Sequence, residues 1–598
     1  MSEYIAPLKD MQFVLRELAD MDAVSALPGH EEVNAELADA ILEEAGKFAN
    51  GVLSPLNWTG DREGAKWKDG EVTTAPGWKQ AYSQFVDGGW NALSCPTDFG
   101  GQGLPHIISA MVEEMWNASN TSFMLCPMLT RGAIEALQLC GSDEQKAMYL
   151  PKMVTGEWTG SMNLTEPQAG SDLAAVRTKA VPQADGSFRI HGQKIFITYG
   201  EHDLTDNIIH LVLARTPNAP EGVKGISLFV VPKFIVGADG SLGERNDVRC
   251  VSIEHKLGIH ASPTCVLAFG DNAGATGWLV GEENRGLEYM FIMMNAARYG
   301  VGLQGIGLCD RATQRAAEYA RTRVQGVEQG GKSRDKVAIV RHPDVRRMLM
   351  QMKSRTEALR AVAGVTAAAM DLAHGHPDAA VRKQQQAFVD LMIPIVNGWS
   401  TETALLVTSL GVQVHGGMGF IEETGAAQHM RDARITAIYE GTTGIQAADL
   451  IGRKIARNGG ATIGAVIAQM EAVRAELAAA DDASLAAIGA SLEAGIAALK
   501  SGVAFILAHQ GEAIRQAAAG AVPLMELFGI VAGGWQMGRA ALVALRQLKA
   551  GEGDGAFLKA KLLTARFYAD HVLSAAPGLA HTVLHGADAA LEMADEAF

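Results

Sequence analysis

The sequence predicts a mainly α-helical protein with a β-domain in the middle of the chain. Three observations carry this. Apolar residues recur at helical spacing before residue 155, as in VNAELADAILEEAGKFA (33–49). Near residue 160 the period falls towards two, with β-branched and aromatic residues clustered in short runs. From Arg285 onward helical periodicity returns and persists to the end, Ala-rich beyond residue 460. At 598 residues, and roughly 150 residues per domain, three or four domains are expected.

In chain order, residues 1–34 read as a helical lead segment. Residues 35–159 form a helical domain with a loop-rich interruption at 55–78. The β-domain spans 160–275. In it FRIHGQKIFIT (188–198) reads as two strands around a turn at Gly192, and IIHLVLA, GISLFVV and TCVLAFG read as further strands. Residues 280–458 form a second helical domain, broken by glycine-rich GVQVHGGMGF and YEGTTG, and 460–598 a third. A G-x-G-x-x-G sits at Gly300, Gly302 and Gly305. A dinucleotide turn would need a buried strand before it, and LEYMFIMMNAARY is helical in pattern. These glycines are therefore read as close helix–helix packing.

Composition narrows the partners. With 51 Lys and Arg against 67 Asp and Glu the net charge is −16, which disfavours nucleic acid and anionic membrane surfaces. The six cysteines (95, 126, 140, 250, 265, 309) show no metal-ligand spacing, so no metal is expected and the thiols read as buried hydrophobes of a reducing compartment. There is no basic N-terminal region leading into an apolar run, and the long uncharged stretch 403–421 carries several glycines, Gln413 and His415. A cytoplasmic chain without a lipid-spanning helix is expected.

Two stretches carry chemistry. MNLTEPQAGSDL (162–173) offers the Thr165 and Ser171 hydroxyls, with Gly170 for close backbone approach. It reads equally as a cradle for an anionic ligand and as a plain turn. In RDARITAIYEGTTGIQAADLIGRKI (431–455), Glu440 stands where Gly441 ends a helical run and Thr442 or Thr443 caps the next. A carboxylate beside Ile438 and Tyr439 can serve as a general base, although a solvent-facing glutamate has the same spacing.

Taken in order, L-T-E-P-x-A-G-S-D, K-I-F-I-T, K-L-G, the N-A-A-R helix, Q-V-H-G-G-M-G-F and M-R-D-A-R-I-T-A-I-Y-E-G-T resemble the acyl-CoA dehydrogenase family. The similarity runs from about residue 35 to 455. It points to the bacterial branch of roughly 600 residues with an added C-terminal helical domain. The resemblance implies that family's fold, a bound FAD, and α,β-dehydrogenation of an acyl-CoA thioester, with 3-methylmercaptopropionyl-CoA and medium- or long-chain acyl-CoA among the substrates. An acyl-CoA oxidase would share the scaffold.

Residue by residue, the resemblance implies that backbone at Met162 and Leu164, with Thr165, addresses the flavin ring. Gly170 belongs to the same loop, and Ser171 lies near the pyrophosphate and the CoA. Phe196 stands where many members have Trp, which keeps an aromatic face and loses an indole N–H, and Thr198 reaches the N5 edge. Arg323, Gln413, Gly416 and Gly417 match residues that reach the FAD of a neighbouring subunit, so a homodimer is implied. Thr442 returns to the pyrophosphate, and Gly444 replaces a glutamine that many members use. Glu440 matches the base; Ala297, at an alternative position for the base, cannot serve. Asn295, Arg298, Tyr439 and Gly441 match substrate-side positions. An electron-transfer flavoprotein is the implied acceptor.

Overall fold

The computed structural model describes residues 4–598, so the first three residues of the lead segment lie outside the described residues. The chain forms two compact units. One comprises residues 1–46, 105–118 and 301–598 and the other residues 47–104 and 119–300.

The second unit holds the sheet. Its strands are β1 (Trp158–Asn163), β2 (Lys179–Pro182), β3 (Phe188–Thr198), β4 (Asn207–Ala214), β5 (Ser227–Pro232), β6 (Val248–Ile253), β7 (Thr264–Phe269) and β8 (Ala275–Val280). They lie in the order β6-β7-β3-β8-β5-β4-β1, with β2 beside β3. Only β1 and β4 pair in parallel. Ile190, Ile197, Val212, Phe229, Val231 and Leu267 form the inner face, closed by Val72.

Residues 188–198 make one strand, not the two expected. The first part of β3 pairs with β2 and β8, and from Gly192 onward it pairs with β7. Gly192 marks that change of partner. A Cβ there would sit 2.4 Å from the Thr178 hydroxyl, so the glycine allows a close strand approach where a turn had been read. Residues 55–78 also hold more structure than expected. They include the helix Ser54–Glu63, with Pro55 at its start, and a hairpin of Lys66–Lys68 with Glu71–Thr73.

The first unit is mainly helical, with one hairpin of Val324–Val327 and Lys336–Ala338. Gly302, Gly305 and Gly307 lie deep inside the helix Gly286–Thr322, with helix and not strand leading into them. A Cβ at Gly302 would meet the Val396 carbonyl at 2.4 Å, and one at Gly307 the Ala118 nitrogen at 2.6 Å. The glycines are packing glycines, as the sequence implied. The same device recurs further on, where a Cβ at Gly529 would fall 2.2 Å from the Trp399 ring and one at Gly533 2.3 Å from the Tyr568 hydroxyl.

A buried ion cluster ties this unit together. Arg360 bonds Glu114 and Asp10 at 2.5 Å and Asp310 at 3.3 Å. Lys561 bonds Glu357 at 2.5 Å and also Asp10. Asp10 therefore joins the lead segment to a helix 350 residues and another 551 residues further along.

Two helices, Ala483–Ala508 and Ala521–Ala550, are long and apolar enough to cross a membrane by length and composition. The reading from 403–421 had overlooked them. The second is mostly buried inside its own unit, as a core helix of this length would be. The six cysteines are free thiols, all but Cys140 buried.

Candidate active site

In the sheet unit, the strand β3 and the 162–173 loop are locked to each other. Leu267 faces Lys194 and Cys265 faces Ile197, so Ile195 and Phe196 together stand opposite Val266. This bulge turns the Ile195 N–H to the Thr165 carbonyl at 2.9 Å. Lys194, fully buried, donates to the Leu164 carbonyl at 3.0 Å and to Glu166 at 2.8 Å. Glu166 also accepts from the Arg177 and Thr178 N–H groups and from the Thr178 hydroxyl at 2.6 Å. Burial pushes the Glu166 carboxyl up, but Lys194 and these donors outweigh it and hold its pKa near 2. The pair stays ionised and fully bonded at neutral pH, the condition under which a buried ion pair fixes geometry.

The consequence is at Phe196. It has φ +59° and is 59% exposed. A non-glycine residue with positive φ is uncommon and costs about 1–2 kcal/mol. The bulge and the lock hold it there, so an aromatic face is presented that folding alone would bury. Thr198, two residues on, is paired with Thr264 and half-buried. Tyr199 anchors the strand end, donating to the Ser122 carbonyl at 2.8 Å and receiving the Trp78 N–H at 3.2 Å. Gly170 and Ser171 are exposed and Met162 is buried in β1. Asn295 is exposed, whereas Arg298 and Ala297, on the same helix, are buried.

In the helical unit, Glu440 lies between the 3-10 turn Arg434–Ala437 and the helix Thr443–Asp449. Thr442 is the cap, its hydroxyl accepting from the Ile445 N–H at 3.3 Å. Glu440 has φ +55° and Gly441 φ +96°. Two fully buried glutamines hold the 439–441 loop. Gln446 donates to the Glu440 carbonyl at 3.1 Å and to the Gly441 carbonyl at 3.4 Å. Gln304, from the glycine-rich helix, accepts the Tyr439 hydroxyl. Burial, then the Glu440 charge, pushes the Tyr439 phenol up, so it remains a donor. A Cβ at Gly441 would meet the Gln446 amide at 2.8 Å, so glycine is required there twice over. Gly444 is exposed and open.

Elsewhere in this unit Arg323 follows the helix end, its N–H on the Tyr319 carbonyl and its side chain exposed with no ion pair among the described residues. Tyr319, one turn earlier, stacks on His415 with ring centres 4.5 Å apart. That stack brings the Arg323 end to the loop of Gln413, Gly416 and Gly417, all exposed. Neither glycine has an atom within 4 Å of an added Cβ.

Reading the sequence missed Glu166, Lys194, Gln304, Gln446 and the Tyr319–His415 stack. The one available signal was Gln304 and Gln446, polar side chains at otherwise small or apolar helical positions.

Four family profiles match successive stretches. They are the acyl-CoA dehydrogenase N-terminal domain (36–157), middle domain (161–272) and C-terminal domain (284–456), followed by an acetyl-CoA dehydrogenase C-terminal-like domain (463–594). The chain is 51% identical over 570 residues to the 3-methylmercaptopropionyl-CoA dehydrogenase of Ruegeria pomeroyi, covering 95% of this chain and 96% of that protein. The chain belongs to the acyl-CoA dehydrogenase family. It is thus a flavoprotein oxidoreductase whose cofactor is FAD. A broad-specificity linear acyl-CoA dehydrogenase of Mycobacterium tuberculosis is 34% identical, over 96% of each chain. Among solved structures, an acyl-CoA dehydrogenase from Bacillus anthracis, complexed with FAD, superposes with a TM-score of 0.74. It is 21% identical and covers 96% of this chain and 92% of that one, a likeness of fold.

The residues fit the cofactor by what they leave uncommitted. Phe196 offers an aromatic face, Arg323 a cation with no carboxylate partner among the described residues, and Gly416 and Gly417 backbone that a ligand can approach.

Proposed function

We propose that this dehydrogenase acts on 3-methylmercaptopropionyl-CoA, removing the α- and β-hydrogens, with Glu440 as the base. The 51% identity along nearly the whole chain supports the substrate. The strained, clamped loop at 439–441 supports the base. Strain of this kind, held in place by buried hydrogen bonds, is characteristic of functional positions.

FAD, when bound, supplies the acceptor for the β-hydride. Met162, Leu164, Thr165, Gly170, Ser171, Phe196, Thr198, Thr442 and Gly444 would hold it. Arg323, Gln413, Gly416 and Gly417 serve the cofactor of a second subunit, which makes the working form a homodimer. Glu440 takes the α-proton. As that proton leaves, negative charge gathers on the thioester oxygen and is met by the Glu440 backbone N–H. A fixed donor aimed at developing charge is worth about 3–4 kcal/mol of barrier. Tyr439 and Gly441 would border the reacting thioester, and Asn295 and Arg298 would serve on the CoA side. An electron-transfer flavoprotein is the acceptor, the enzyme works in the cytoplasm, and the chain divides at 34, 159, 275 and 460.

Turnover of an acyl-CoA panel with an artificial electron acceptor tests the substrate. The expected order puts 3-methylmercaptopropionyl-CoA first in kcat/KM. A clear preference for a linear acyl-CoA of any length would move the assignment towards the Mycobacterium tuberculosis relative.

A further inference from the structure

A cavity of about 650 Å³ lies wholly within the mainly helical unit. This is the size of a small-ligand site. Its walls are mostly aliphatic and aromatic, with Leu18, Leu372, Phe388, Val466 and Trp535 among them, and Gln384, Gln385, Thr462 and Gln469 interrupt them. Arg539 and Asp20 are its only charged lining residues.

Arg539 is the unusual feature. It is half-buried and bonded to two neutral acceptors, Gln536 at 2.8 Å and the Leu18 carbonyl at 2.9 Å. Among the described residues no carboxylate lies within ion-pair distance of it. Burial lowers its pKa, only partly countered by the charges of Asp20 and Glu476. Asp20 is exposed and its carboxylate caps the Ala23 N–H, so solvent screens it. A half-buried cation that faces an apolar chamber and uses only part of its five-donor fork suits a ligand carboxylate. The buried Trp535 indole N–H also lacks an acceptor among the described residues. No second cation lines the chamber, which disfavours a phosphate dianion.

We propose that this cavity binds an aliphatic monocarboxylate, with the carboxylate on Arg539 and the hydrocarbon along the apolar wall. It is separate from the residues assigned to dehydrogenation, so the proposal stands whatever the substrate.

The test is calorimetric titration of the FAD-loaded enzyme with sodium octanoate, and with octan-1-ol as the neutral control. Octanoate should bind, and Arg539→Gln should weaken that binding at least tenfold while kcat for acyl-CoA stays the same. Ala465 lines the chamber and is exposed. Ala465→Trp should therefore fill the mouth without disturbing the core, and should weaken octanoate to a similar degree. Absence of octanoate binding, octan-1-ol binding as tight as octanoate, or octanoate binding unchanged in Ala465→Trp would each overturn the proposal.

Discussion

Replacing Gln446 by Leu separates the carboxylate proposed as the base from the scaffold that aims it. The leucine fills similar volume but removes the amide that donates to the Glu440 carbonyl at 3.1 Å and the Gly441 carbonyl at 3.4 Å. Each hydrogen bond contributes about 0.5–1.5 kcal/mol net, and the longer one belongs at the low end, so the clamp is worth about 1–2 kcal/mol. Glu440 meanwhile sits at φ +55°, a conformation that costs a non-glycine residue about 1–2 kcal/mol. The two are of equal size, so losing the clamp lets the loop relax to negative φ. A shift of one to two kcal/mol is a factor of about 5–30 in population. Anaerobic flavin reduction on mixing with substrate should slow by that factor, with little change in KM and a melting temperature within a few degrees. If Gln446→Leu reduced its flavin within twofold of wild type, the clamp would have no part in placing the base.

Three further outcomes follow from the packing. Arg360→Met leaves Asp10, Glu114 and Asp310 buried beside one another. It should cost about 3–5 kcal/mol, measured by denaturant unfolding, and a loss under 1 kcal/mol would contradict the cluster's role. His202 and His210 are buried beside Lys233, and burial first, then that charge, lowers both pKa values to about 3. Both rings are thus neutral in the folded state, while the unfolded chain protonates them near 6.5. Stability should be full above pH 6.5 and decline as pH falls towards 3. His210→Gln should flatten the decline, and an unchanged slope would remove the histidine from it. Ending the chain near residue 460 removes Lys561 and the helix that covers Trp399. The truncated protein should aggregate or lose FAD rather than lose chemistry selectively; a fully active, soluble product would show the last domain to be dispensable.

The order of motifs made the family legible, and the change of hydrophobic period made the β-domain legible. Some features were opaque for a physical reason. Gln304 and Gln446 look like solvent-facing positions because a single polar residue in a helix ordinarily is one; burial appears only when a carbonyl or hydroxyl from another element is supplied. The Glu166–Lys194 pair joins two motifs that were each read alone, 28 residues apart. Asp10, Arg360 and Lys561 are too far apart in sequence for any local pattern to link them. Residues 188–198 were split because glycine usually signals a turn, and here it signals contact with Thr178. At Glu440 the sequence left a base and a surface carboxylate open, and its positive φ is invisible without coordinates.

The central claim is that Glu440 takes the α-proton, and Glu440→Gln tests it most directly. The amide keeps size and most hydrogen bonding but cannot accept the proton, and loss of a general base costs about 10²–10⁴-fold. Mixed anaerobically with substrate, the variant should bind acyl-CoA yet leave its flavin oxidised on the wild-type timescale, while Glu440→Asp retains partial activity limited by reach. Flavin reduction in Glu440→Gln at a near wild-type rate would contradict the assignment of the chemistry to this loop.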